Sequence, residues 1–282
     1  MKSLRSFLET IRVEHTIFAL PFAYATLFLV ARGWPTLHDF LWITVAMVGA
    51  RTVGMGLNRV IDARIDARNP RTAARAIPAG RLSVASALVF TAIAGAVFLY
   101  AVLQLDPVCR VLCPLPIIAM TVYPYAKRFT PFAHLFLGLV YFMIPAAIWL
   151  AVTGSLPMIA VVMGIGAGLW VAGFDIIYAC QDAETDRREG LHSMPADFGI
   201  PRALAIARWF HAGFLAALLV VSQMFDAGAW YYAALAFTGL SLVYEHRLVS
   251  PADLSKVNAA FFTTNGMVSV ALFALIALDT VK

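Results

Sequence analysis

Apolar positions along the chain gather into nine runs, at residues 16–32, 40–61, 84–104, 107–125, 132–151, 157–180, 203–223, 227–244 and 259–279. Each comes close to the ~20 residues a helix needs to cross the hydrocarbon core of a bilayer, and a helix satisfies its own backbone hydrogen bonds there. Proline punctuates the run ends. A transmembrane barrel would instead show alternating segments of about ten residues. The pattern predicts an all-α integral membrane protein of about nine transmembrane helices. No polar break between the runs approaches the size of a soluble domain, so residues 1–282 are expected to form a single membrane domain.

Composition sharpens this picture. Hydrophobic residues make up 61% of the chain, charged residues 13%, and mean hydropathy is +0.81, so lipid is the solvent for most of the molecule. The first run follows a polar lead and has no small-residue cleavage site behind it, which predicts a retained helix rather than a secretion signal. Lysine and arginine accumulate on the cytoplasmic side of membrane proteins. Alternating nine spans from the N-terminus puts almost all of them on one side and leaves Arg32, Arg110 and Lys282 opposite. The N-terminus is therefore expected in the cytoplasm and the C-terminus outside. A net charge of +5 and a pI near 9.3 then point to anionic lipid and a phosphorylated substrate rather than nucleic acid. Cys109, Cys113 and Cys180 lack metal-site spacing and read as apolar thiols.

Candidate chemistry lies where the second and sixth runs end. On a helix, Asn58, Asp62 and Asp66 share one face at intervals of four residues, and so do Asp175, Tyr178, Asp182 and Asp186. Carboxylates one turn apart repel, and the cost rises where the dielectric is low. Magnesium suits such a pair, because it commonly binds through one or two carboxylates together with substrate phosphate oxygens. A single pair would read more readily as interfacial acids matched to nearby arginines. Two pairs emerging on the same face predict a shared metal–diphosphate site, with Asn58, Asp62, Asp66, Asp182 and Asp186 as metal ligands. Arg64, Arg68, Arg71, Arg75, Lys127, Arg128, Arg187 and Arg188 surround them, and Arg71, Arg75, Lys127 and Arg128 are candidates for phosphate oxygens. Arg51 lies inside the second run on the face of Asn58; it either holds an acceptor oxygen or pairs with an acid such as Glu14. Asp175 is assigned to substrate binding. Tyr178 is a candidate for cation–π support or an interfacial tyrosine. His15 and His192 are assigned no role.

These segments resemble the UbiA-type membrane prenyltransferases. The stretch Asn58 to Asp66 is similar to the family's first aspartate-rich motif, Asn69 to Gly80 to its basic loop, Tyr123 to Thr130 to its Tyr-Pro-x-x-Lys-Arg segment, and Asp182 to Asp186, with Gly190 and Ser193 behind, to its second motif. Arg59 departs from the pattern, since many relatives carry an aspartate there, and the metal count is left open. The resemblance implies helices around a central cavity with a cytoplasmic cap. It implies Mg2+-assisted ionisation of a polyprenyl diphosphate, with Asp62, Asp66, Asp182, Asp186 and Tyr178 in catalytic roles, and attack by an aromatic ring. Glu14 to Phe22 resembles a bacterial quinone-synthesis branch, which implies a multi-pass protein of the cytoplasmic (inner) membrane, with its active site facing the cytoplasm. The acceptor there is a hydroxylated aromatic carboxylate such as 4-hydroxybenzoate, with a dihydroxynaphthoate for menaquinone as the alternative. The rival class is an ion-coupled transporter, which would place its acids deep in broken helices.

Overall fold

A computed structural model describes residues 2–11 and 16–281; among these the regular elements are all helices, joined by turns, with one isolated bridge between Ser250 and Asp253. The helices are α1 (Lys2–Thr10), α2 (Thr16–Ala31), α3 (Leu37–Ile61), α4 (Ala63–Asp66), α5 (Val84–Leu103), α6 (Pro107–Leu112), α7 (Pro114–Ala126), α8 (Ala133–Thr153), α9 (Met158–Ala179), α10 (Ala183–Arg188), α11 (Met194–Phe198), α12 (Ile200–Met224), α13 (Ala229–Leu248) and α14 (Asn265–Thr280). A 3-10 turn, Cys180–Asp182, joins α9 to α10, and a π-helical turn, Ala259–Thr264, leads into α14.

Local sequence accounts for most of the ends. Thr36 and Ser83 cap α3 and α5 by accepting the backbone N–H groups of Asp39 and Ser86. Gly154 closes α8 in the left-handed region at φ 64°. The apolar run at 107–125 is divided at Cys113 into α6 and α7, because Pro114 has no N–H to continue the ladder.

Seven helical segments among the described residues are long and apolar enough to cross a membrane, and the protein is a multi-pass membrane protein. The first and eighth expected runs are present as helices but fall outside that set. The apolar part of α2, Ala19–Ala31, is short, while α13 carries tyrosines and ends on Glu245, His246 and Arg247.

In lipid there is little hydrophobic drive between helices, so close packing of small residues holds the bundle. α8 and α9 approach backbone to backbone: a Cβ on Gly138 would stand 2.7 Å from the Gly168 carbonyl, and one on Gly168 would stand 2.9 Å from that of Gly138. The thickest packing surrounds α9, where Trp170 stacks on Phe214 at 5.4 Å and meets Phe174 edge-on at 5.6 Å. This fixes α9, and with it the second acidic motif, as the most enclosed element of the fold.

Candidate active site

The first motif does not sit on one unbroken helix. α3 stops at Ile61, and Asp62 adopts φ −92°, ψ 0°. The four-residue register nevertheless continues, since Asp62 N–H donates to Asn58 O at 3.0 Å and Asp66 N–H to Asp62 O at 2.8 Å. The expected shared face therefore survives the break. In the second motif the 3-10 turn and α10 carry Asp182 and Asp186 onward from α9. Behind them Gly190, at φ 66°, turns the chain back, and Ser193 Oγ reaches Asp186 Oδ2 at 3.0 Å.

Both motifs line one cavity of about 640 Å³, together with Arg51, Asn58, Arg71, Arg75, Lys127, Asp175 and Tyr178. At its acidic end, carboxylates and cations alternate. Lys127 Nζ lies 2.6 Å from Asp62 Oδ2, and Arg75 Nη1 lies 2.7 and 2.8 Å from the two oxygens of Asp66. Arg71 forks onto Asp182, its Nε 2.9 Å from Oδ1 and its Nη2 on Oδ2, while its Nη1 donates to the Tyr178 hydroxyl at 3.0 Å. Asn69 also donates to Asp182 Oδ1, at 3.0 Å. The loop after the first motif thus reaches across to the second at the acidic end of the cavity. The backbone N–H of His192 ties in the α7 end by donating to Lys127 O at 2.7 Å.

Asp62 is 3% exposed, and burial pushes its carboxyl above the ordinary range against the pull of Lys127 and Arg128. Its Oδ1 is buried without a hydrogen bond, since Arg128 stands 3.6 Å away. Among the described residues no three acidic, histidine or cysteine side chains converge as a ready-made metal cage. The donor set still fits a hard cation: it consists of oxygens, Asp62 retains an unmet one, and magnesium typically completes its shell with water and substrate phosphate.

Other expected residues stand elsewhere. Arg128 does not line the cavity; it donates to Ile61 O at 2.9 Å and lies over the Tyr125 ring at 4.7 Å. Arg68 pairs with Glu189 at 2.8 Å and Arg187 donates to the carbonyls of Pro195 and Ala196, so these two join neighbouring loop segments, while Arg64 is exposed. Arg51 does line the cavity, in the apolar stretch of α3, and its Nε is buried without a hydrogen-bond partner among the described residues. Glu14 and His15 lie outside the described residues. Sequence reasoning overlooked Asn69 and His134. The latter is buried, lines the cavity and pairs with Asp175 at 2.7 Å.

Away from the acidic end the wall turns apolar, with Met47, Phe98, Val102, Met120, Leu137 and Leu150 among its residues. From Ile43 to Asp62 the cavity follows α3 for about 28 Å at 1.5 Å per residue. A polar, cation-rich end on a long apolar cavity matches the chemistry of a lipid-tailed anion.

Comparison with known proteins agrees. Residues 19–267 match the UbiA prenyltransferase family model. A 4-hydroxybenzoate octaprenyltransferase of Vibrio atlanticus (strain LGP32) is 30% identical over 252 residues, 88% of each chain. The apo structure of a UbiA homolog from Aeropyrum pernix K1 superposes with TM-score 0.85 at 34% identity, covering 95% of this chain and 98% of that one. A UbiA homolog from Archaeoglobus fulgidus bound to GPP and Mg2+ shares the fold, at TM-score 0.72 and 17% identity, covering 96% of this chain and 99% of that one. The chain belongs to the UbiA prenyltransferase family. It is a prenyltransferase, and an ion-coupled carrier finds no support in these matches.

Proposed function

We propose that this enzyme transfers a polyprenyl group from its diphosphate to a hydroxylated aromatic carboxylate, of which 4-hydroxybenzoate is the first choice, in quinone synthesis. The observation that carries the reading is that one cavity joins two acid pairs and their cations to a long apolar wall that includes Arg51, whose Nε is buried without a hydrogen-bond partner among the described residues. The name of the Vibrio relative supports the acceptor. The prenyl diphosphate and Mg2+ bound to the Archaeoglobus homolog support the donor and the metal.

In this reading Asn58, Asp62, Asp66, Asp182 and Asp186 hold Mg2+, which when bound neutralises charge developing on the departing diphosphate. Arg71, Arg75 and Lys127 turn from the carboxylates toward phosphate oxygens. The prenyl tail lies along the apolar wall, where each methylene removed from water contributes about 0.8 kcal/mol. Opening of the carbon–oxygen bond creates an allylic cation beside Tyr178, Phe261 and Phe262, whose rings stand 4.2 and 6.0 Å from that of Tyr178 and offer electron-rich faces. Arg51 receives the acceptor carboxylate and directs the ring toward the cation.

In the same proposal the whole chain works as one membrane domain with nine spans, in the cytoplasmic membrane, its acidic end facing the cytoplasm, a reading that the arginine distribution supports. Purified protein, a radiolabelled prenyl diphosphate and a panel of aromatic acids test donor and acceptor together. Prenylation of a hydroxylated benzoate is the expected result; activity confined to non-aromatic acceptors would overturn the reading.

A further inference from the structure

The reaction above leaves one proton without a destination, the hydrogen on the ring carbon that forms the new bond. We propose that Asp175 is the base that takes it and that His134 is the positioning residue that holds Asp175 for the task. The proposal rests on the aromatic-acceptor reading of the cavity.

Position is the first argument. Asp175 lies on the cavity face of α9, two turns before Asp182, and at 1.5 Å per residue about 10 Å deeper than it. By the same measure Arg51 lies about 16 Å deeper along α3 than Asp62. Asp175 therefore falls between the diphosphate end and the arginine assigned to the acceptor carboxylate, at the level the reacting ring would occupy.

Partnership is the second. Asp62, Asp66 and Asp182 are each matched to Lys127, Arg75 or Arg71, and Asp186 is held by Ser193 next to the motif it belongs to. Asp175 has no such cation among the described residues; its Oδ2 is held by His134 Nδ1 at 2.7 Å. His134 is 4% exposed, and its Nε2 is buried without a partner. A proton on Nε2 would be a buried donor left unmet, costing about 1–3 kcal/mol. The tautomer that fits the network carries its proton on Nδ1 and donates it to Asp175. One carboxylate oxygen is thereby anchored, and the other has no hydrogen-bond partner among the described residues while Asp175 lines the cavity. This is the arrangement of a base oriented by a second group.

The step balances. The allylic carbon–oxygen bond breaks with its electrons leaving on diphosphate, and the ring carbon beside the hydroxyl supplies a pair to the allylic carbon. The electrons of that carbon's C–H bond return to the ring as its proton passes to the free oxygen of Asp175. The products are the prenylated acid, diphosphate and one proton, later released to water.

The test compares 4-hydroxybenzoate carrying protium or deuterium at the two carbons beside the hydroxyl. Wild-type enzyme should turn over both alike, because bond-making precedes proton loss. Asp175→Asn should lower kcat by about 10²- to 10⁴-fold, the usual contribution of a positioned base, and should acquire a primary isotope effect as proton loss becomes limiting. His134→Ala should show the same isotope effect with a smaller fall, and His134→Gln, whose amide can donate to Asp175, should recover part of it. Binding of a non-ionising prenyl diphosphate analogue by Asp175→Asn should match wild type, which separates lost chemistry from a lost fold. Where that variant does not fold, Asp175→Glu keeps a carboxylate and should turn over without an isotope effect. Asp175→Asn with normal turnover, or with reduced turnover and no isotope effect, overturns the assignment while leaving the prenyl-transfer reading intact. Wild-type enzyme that prenylates no aromatic acid overturns the reading and the assignment together.

Discussion

Arg51 offers a sharp prediction because its structural and functional values should have opposite signs. Its Nε is buried within the α3 span and has no hydrogen-bond partner among the described residues, and an unmet buried donor costs about 1–3 kcal/mol. Arg51→Met keeps much of the length and apolar stem while removing that donor. The variant should be no less stable than wild type, and more stable by up to that amount. A hydrogen bond to a charged group contributes about 1.5–3 kcal/mol, so losing the one to the acceptor carboxylate should raise the apparent acceptor constant roughly 10- to 150-fold. The donor constant should hardly move, because the phosphate end lies about 16 Å away along α3. Thermal unfolding in detergent and separate titrations of donor and acceptor decide the matter. Marked destabilisation with an unchanged acceptor constant would refute the reasoning and make Arg51 a packing residue. A defect confined to the donor would move it into the diphosphate site.

Asp62→Asn, Asp66→Asn, Asp182→Asn and Asp186→Asn should each lower turnover with every acceptor alike, and excess Mg2+ should rescue only variants in which metal binding is weakened; full activity in chelator would falsify the metal assignment. Gly138→Ala should destabilise the bundle by about 1–3 kcal/mol, as overpacking does, since its Cβ would press on the Gly168 carbonyl at 2.7 Å. Gly95→Ala, whose Cβ would meet only Val53 Cγ2 at 3.7 Å, should be neutral or stabilising in the same unfolding assay. Cysteine probes placed at Arg71 and Glu189 should react from the same, cytoplasmic side, and labelling from opposite sides would dismantle the shared site.

Much of the bundle was legible because lipid imposes a simple rule: apolar residues must continue for the length of a span. The runs at 84–104 and 132–151 reappear as α5 and α8 with ends shifted by a residue or two. The four-residue spacing of the acids was legible for a related reason, since a helix face is periodic even across the small break at Asp62. What the spacing did not reveal was pairing between elements. Arg128 adjoins Lys127 in sequence, yet both lie in the turn just past α7, where Lys127 reaches Asp62 while Arg128 folds onto Tyr125 and the Ile61 carbonyl. His134 drew no attention because Asp175 lies 41 positions away, and only the crossing of α8 over α9 brings them together. Asn69 was visible in the basic loop but reads there as a turn residue before proline. Its donation to Asp182 depends on the loop crossing the cavity mouth.

The same distinction explains the aromatic wall beside Tyr178. Nothing in the periodicity of the last apolar run distinguishes Phe261 from its neighbours, yet its ring lies 4.2 Å from Tyr178 because the backbone widens into a π-helical turn over Ala259–Thr264. Such a turn disturbs the regular ladder of carbonyls, and inside a membrane bundle water is not there to satisfy them. Asn265 does so instead. Its Nδ2 lies 3.2 Å from the carbonyls of both Ala260 and Phe261 and 3.0 Å from Glu245 Oε1, while its Oδ1 accepts from Trp170 Nε1 at 2.7 Å. Trp170 is itself clamped against Phe214 and Phe174 in the packing around α9. A polar side chain that is expensive to bury thus joins α9, α13 and α14 and stabilises the irregular turn that sets Phe261 beside Tyr178. The paired acids are read from their spacing along the chain, whereas the aromatic wall beside Tyr178 depends on this tertiary hydrogen-bond network.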